Sequence, residues 1–80
     1  MDITVTAFGI AKDIIKNKEV IISLPSDRSV GALRSLLSNK YPEFEKLASL
    51  KFAVNADYVE DGHELKAGDE VVLIPPVSGG

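Results

Sequence analysis

The chain reads as an α+β roll, a mixed sheet of four to five strands with one main helix across it and short extra helices in the connections. Three observations predict this. The first and last apolar segments are strand-like: Asp2–Ala7 alternates strictly, and Glu70–Ile74 contains an unbroken apolar run. Only the stretch from Val30 to Tyr41 carries a helical stripe long enough to cover a sheet. Finally, 80 residues allow a single domain with one nearly continuous core, because a chain of this size buries only about 60% of its unfolded surface.

The elements follow in order. In Asp2–Ala7, Ile3, Val5 and Ala7 share one side and Asp2, Thr4 and Thr6 the other, the pattern of a half-buried strand. Ile10, Ala11, Ile14 and Ile15 then predict a short amphipathic helix that Asn17-Lys18 closes. A second strand, Glu19 to Leu24, aligns Val20, Ile22 and Leu24 and stops at Pro25-Ser26-Asp27. Ser29 is placed to cap the main helix through its hydroxyl. Val30, Leu33, Leu36, Leu37 and Tyr41 form its apolar stripe, and Pro42 forces it to end at or before Tyr41. Phe44, Leu47 and Leu50 predict a further helical turn over the core. Lys51 to Asn55 is a third strand with Phe52 and Val54 on one side, and Asn55-Ala56-Asp57 a tight turn into a very short strand at Tyr58-Val59. A polar stretch with turn glycines at 62 and 68 leads to the last strand, Glu70 to Ile74. Because Val71-Val72-Leu73-Ile74 is apolar on both faces, that strand belongs at the centre of the sheet. A central last strand beside the first, with one helix across them, is the β-grasp or ubiquitin-like roll. It occupies residues 1–74 and leaves 75–80 as an extended C-terminal tail.

Composition narrows the chemistry. Nine Lys and Arg against twelve Asp and Glu give a net charge of −3, with no basic stripe to neutralise phosphates, so nucleic acid is not an expected partner. There is no cysteine, which excludes disulfides, thiolate metal sites, redox dithiols and a cysteine nucleophile. No apolar run approaches the roughly 20 residues that span a bilayer, so no membrane partner is expected either. Met1-Asp2-Ile3-Thr4 is unlike a signal peptide, and the expected location is the cytoplasm. The single histidine, His63, sits in the turn-like Asp61-Gly62-His63-Glu64 and reads as a solvated surface residue, with no second histidine to complete a metal site. The glycines have the wrong spacings for a phosphate loop or a dinucleotide fingerprint. Neither a bound metal nor a bound cofactor is expected. Asp57, Glu60, Asp61, Glu64, Asp69 and Glu70 crowd one stretch against a single base, Lys66. They are either solvated turns or a surface that steers toward a basic partner, and their spacing does not match a calcium loop.

Two features point to binding. If Ile3, Val5, Ala7, Val71 and Leu73 face the helix, then Phe8, Val72 and Ile74 lie on the uncovered side, where Tyr58 can join them. An apolar cluster there marks an interaction surface. The tail is the second feature. Pro75 and Pro76 stop the ladder and project the chain in extended form, and six residues reach roughly 20 Å. Val77 and Ser78 continue the tail to Gly79 and Gly80, whose lack of side chains suits a narrow channel. The Gly80 carboxylate then becomes a reactive group at the end of an arm.

The segment Gly68-Asp69-Glu70-Val71-Val72-Leu73-Ile74-Pro75-Pro76-Val77-Ser78-Gly79-Gly80 resembles the C-terminal end of the ubiquitin-like sulfur carriers, specifically the small subunits of molybdopterin synthase, the MoaD-like proteins. Weaker matches are Phe8-Gly9, Ala32-Leu33-Arg34 and Ala53-Val54-Asn55. The resemblance implies that an adenylyltransferase like the ubiquitin-activating enzymes joins the Gly80 carboxylate to AMP at the expense of ATP. A persulfide sulfur then displaces AMP and leaves a thiocarboxylate. It further implies that the tail, Pro75 to Gly79 behind Gly80, inserts into the large synthase subunit, where the sulfur passes to precursor Z in molybdenum cofactor biosynthesis. The assembly so implied is a heterotetramer, and the carrier holds no active site of its own. By position, the contact surface for both partners falls on Phe8, Tyr58 and Ile74. Carriers for thiamine or tRNA thiolation and ubiquitin-like protein modifiers share the Gly-Gly end, but generally without the preceding Pro-Pro-Val-Ser or Pro-Pro-Val-Thr.

Overall fold

A computed structural model describes residues 1–46 and 50–74. Strand β1 (Asp2–Ala7) leads through helix α1 (Gly9–Ile15) to β2 (Glu19–Ser23). Helix α2 (Val30–Lys40) and a 3-10 turn (Pro42–Lys46) precede β3 (Lys51–Val54), β4 (Asp57–Val59) and β5 (Glu70–Ile74). The five strands form one sheet in the order β2-β1-β5-β3-β4. β1 and β5 run parallel at its centre, with Val5 beside Val71 and Ala7 beside Leu73. The other three pairings are antiparallel. This is the β-grasp roll expected from the strand patterns.

The core lies between one face of the sheet and the helices. Ile3, Val5, Ala7, Phe52, Val54, Val71 and Leu73 on the strands meet Val30, Leu33 and Leu37 of α2, and all are buried. A central strand pair has no solvent edge, so its β-branched residues bury on the helix side while their neighbours form the opposite face. Leu36 and Tyr41 flank the α2 stripe and are partly buried. Short α1 covers less than its four apolar residues suggest: Ala11 and Ile15, four apart, face the core, and Ile10 is left exposed. The expected helical turn after Pro42 is of the tighter 3-10 kind and buries Phe44; Leu50 is also buried, and Leu47 lies outside the described residues.

Helix α2 starts on a shared cap. Ser29 Oγ accepts from the Ala32 N–H at 3.1 Å, as its position predicts. The two preceding N–H groups are satisfied from the loop before β5: Val30 donates to the His63 carbonyl and Gly31 to that of Asp61, both at 2.9 Å. A side chain at Gly31 would bring its Cβ to 3.3 Å from the Asp61 carbonyl oxygen, so the loop rests directly on the helix start. Arg34 fastens the same loop. Its guanidinium pairs with Asp61 at 3.0 Å, donates to the Leu50 carbonyl at 2.9 Å and lies 4.8 Å from the centre of the Phe52 ring.

The β3–β4 hairpin turns through Asn55 and Ala56, both with positive φ, 51° and 74°. Positive φ at both loop positions is the primed turn that matches strand twist, and its second position favours glycine. Asn55 also anchors the start of β5, accepting from the Glu70 N–H and donating to Asp69, each at 3.0 Å. The Asp69 carboxylate takes a further bond from the Lys66 N–H at 2.8 Å.

Ala56→Gly relieves a left-handed alanine and is expected to raise stability by about 1 kcal/mol, read as a higher urea midpoint at unchanged slope. The Lys66 backbone bond, then the Asn55 side chain, hold the Asp69 carboxyl below its ordinary value of 3.8. A depressed folded value contributes stability that is complete above 3.8 and disappears as pH falls through the folded value. The stability gap between wild type and Asp69→Asn should therefore be constant at neutral and mildly acidic pH and close only below 3.8.

Candidate functional site

The face of the sheet turned away from α2 carries the candidate site. Its residues are fixed by register, since directly paired strand residues point to the same side. The middle row crosses all five strands as Glu19, Thr6, Val72, Ala53 and Tyr58. One row toward the end of β5, Ile74 stands beside Lys51. One row toward its start, Glu70 stands beside Thr4 and Ile21. Val72 and Ile74 are half-buried by their neighbours, whereas Tyr58 is 69% exposed.

Phe8 joins this face through a break in the chain direction. It keeps extended geometry, φ −129° and ψ 161°, and so continues the alternation of β1 one residue past buried Ala7. Its ring is 57% exposed. Gly9 then turns the chain into α1 with φ 56°, a conformation open to glycine without strain. The Phe8-Gly9 pair thus presents an aromatic ring at the end of the sheet where β5 stops.

The structure therefore places Phe8, Val72, Ile74 and Tyr58 on one uncovered face, with Ala53 between Val72 and Tyr58. Pro75, Pro76, Val77, Ser78, Gly79 and Gly80 lie outside the described residues. Two members of the face were not singled out from the sequence. Ile21, 63% exposed, extends it along β2, and Lys51 sits at its β5 end. Alternation within each strand already sets them opposite the buried Ile22 and Phe52, and the pairings show that both lie on the same face as Val72.

The remaining candidates divide. His63 is exposed in its turn and contributes through its carbonyl. Asp61 and Asp69, two of the six clustered acids, have structural partners in Arg34, Lys66 and Asn55. Among the described residues there is no group of three His, Cys, Asp or Glu side chains that could hold a metal ion. A wide depression beside β4 is lined by Arg34, Leu50, Lys51, Tyr58, Val59 and Glu60, among others. Its Arg34 is committed to Asp61 and Leu50.

Comparison with known proteins agrees along the length of the chain. The ThiS family model matches residues 5–80. The molybdopterin synthase sulfur carrier subunit of Dictyostelium discoideum is 34% identical over 77 residues, covering 91% of this chain and 90% of the relative. The structure of molybdopterin converting factor, subunit 1, from Pyrococcus furiosus superposes with a TM-score of 0.87 at 28% identity, covering 96% of this chain and 99% of that one. A chain in the complex of subunits 1 and 2 of the molybdopterin-converting factor from Helicobacter pylori is 31% identical, with full coverage of both chains and a TM-score of 0.70. With a model match over nearly its whole length and the same fold in its relatives, the chain belongs to the ThiS family.

Proposed function

We propose that this protein is the sulfur-carrier subunit of a molybdopterin synthase. The observation that carries the reading is the relationship itself: identity to sulfur carrier subunits of that enzyme extends over nine-tenths or more of the chain, at 34% in one relative and 30% in another. The geometry supports it, because the described surface offers an uncovered apolar face. Carriers for thiamine or tRNA thiolation and protein modifiers share the roll, but the relatives named here favour the molybdopterin reading.

The chemistry resides in the last residue and in partners. A carboxylate is a poor electrophile, so an adenylyltransferase first joins Gly80 to AMP, with pyrophosphate leaving from ATP. The terminal sulfur of a persulfide attacks the acyl carbon and AMP departs, leaving an acyl disulfide. A thiol then attacks the donor's sulfur, the S–S bond breaks to give a mixed disulfide on the donor, and Gly80 is released as a thiocarboxylate. Pro75 to Gly79 carry that group into the large subunit, where sulfur passes to precursor Z. Support for a large-subunit partner comes from the Helicobacter pylori relative, which is in complex with subunit 2. A face built around Phe8, Val72, Ile74 and Tyr58 suits alternate docking to the activating enzyme and the synthase, since a carrier must leave to be recharged. We place this cycle in the cytoplasm, with two carriers on a pair of large subunits.

The test is mass spectrometry after incubation with the activating enzyme, ATP and a sulfur donor. Wild type should gain the mass of sulfur replacing one oxygen, located at Gly80, and should convert precursor Z when mixed with the large subunit. A chain lacking Gly80 should do neither. Precursor Z conversion by the truncated chain would end the thiocarboxylate reading.

A further inference from the structure

The two edges of the sheet are built differently. Edge strand β4 has three residues, starts on Asp57 and runs into Glu60 and Asp61, so it is short and flanked by acids. At the other edge β2 has five, Glu19-Val20-Ile21-Ile22-Ser23, with no proline, no lysine and an unbroken register against β1. Its free backbone groups follow from the ladder. Met1 and Leu24 exchange both backbone bonds, at 2.8 and 3.0 Å, and Ala7 donates to the Lys18 carbonyl at 2.8 Å. Bonded pairs alternate in an antiparallel ladder, so Val20 and Ile22 bond to β1. Glu19, Ile21 and Ser23 then turn their N–H and C=O groups outward, and all three residues are exposed, Ile21 to 63%.

We infer that this edge pairs with a second copy of the chain, β2 against β2, antiparallel about a two-fold axis at Ile21. The strand is complementary to itself in that register. Ile21 exchanges bonds with Ile21 of the second copy and Glu19 with Ser23, which satisfies every outward N–H and C=O of both strands. A shift by two residues one way sets Glu19 against Pro25, which has no N–H; the other way it sets Ser23 against Asn17, beyond the strand. No like charges face each other, since Glu19 meets Ser23, Lys18 meets Leu24 and the two Ile21 side chains meet at the axis. On the helix side the second strand lies along the depression that Ile22, Ser23 and Leu36 border, and covers Leu36, which the core leaves partly exposed. Paired residues point to one side, so the sheets merge with both uncovered faces on the same side and the surface around Val72 stays free. Pairing also closes an edge that would otherwise template open-ended association. So narrow an interface makes a weak dimer, with a dissociation constant on the order of 0.1–1 mM.

Sedimentation equilibrium and amide hydrogen exchange over a concentration series test this with wild type, Ile21→Lys, Ile21→Glu and Ile10→Lys, a control at another exposed apolar residue. Thermal melts first establish that the variants fold alike. Wild type and Ile10→Lys should dimerise as concentration rises, and the amides of Glu19, Ile21 and Ser23 should exchange about threefold more slowly at the top of the series. Ile21→Lys and Ile21→Glu should each stay monomeric alone, because like charges meet at the axis. Mixed one to one, they should associate, because opposite charges then meet. The inference is overturned if wild type stays monomeric at about 2 mM, if Ile21→Lys and Ile21→Glu dimerise like wild type, if Ile10→Lys does not dimerise, or if the mixture stays monomeric. The carrier reading stands in each of those cases.

Discussion

The parallel pairing of β1 with β5 is the constraint on which the rest of the molecule depends. Val5, Ala7, Val71 and Leu73 meet at the centre of the sheet, all without solvent exposure. A parallel pair cannot be closed by a tight turn, so the intervening chain must cross over the sheet, and α2 lies in that crossover. Once these four residues bury toward α2, side-chain alternation directs Val72 and Ile74 to the other face, with Phe8 continuing the same alternation. The uncovered apolar face is therefore a geometrical consequence of the core. A one-residue slip of β5 would bury Val72 and Ile74 and expose Val71 and Leu73, exchanging the two faces at once.

The polar contacts serve the same geometry. The loop before β5 is tied to the start of α2 by two backbone bonds and by Arg34, and to the β3–β4 hairpin by Asn55 and Asp69. These bonds set where β5 begins, and so where it ends. Arg34 is the busiest of the side chains, meeting Asp61, the Leu50 carbonyl and the Phe52 ring. A carrier that docks, leaves and docks again benefits from a rigid platform, because little ordering entropy is then lost at each encounter.

Much of this was legible in the sequence, for identifiable reasons. The strict alternation of Asp2–Ala7 and the two-sided apolar run of β5 determine both central strands, and Ser29 and Pro42 bracket α2. Phe8, Val72 and Ile74 fall on the open face by parity alone. Other features needed partners distant in the chain. Asp61 and Asp69 belong to an acidic run, and only folding shows that Arg34, Lys66 and Asn55 engage them. Lys51 and Ile21 gain meaning from the strands beside them, and Ile10 is exposed because so short a helix covers only a narrow strip. The positive φ of Ala56 was likewise hidden, since alanine gives no signal of a primed turn.

The proposed carrier role requires the face opposite α2 to be the docking surface. The most direct measurement is to follow backbone amide signals by NMR as unlabelled large subunit is added to labelled carrier. Perturbations should concentrate at Phe8, Ala53, Tyr58, Val72 and Ile74, with the exposed face of α2 unchanged. Perturbations centred on α2, with the open face of the sheet left unaltered, would contradict it.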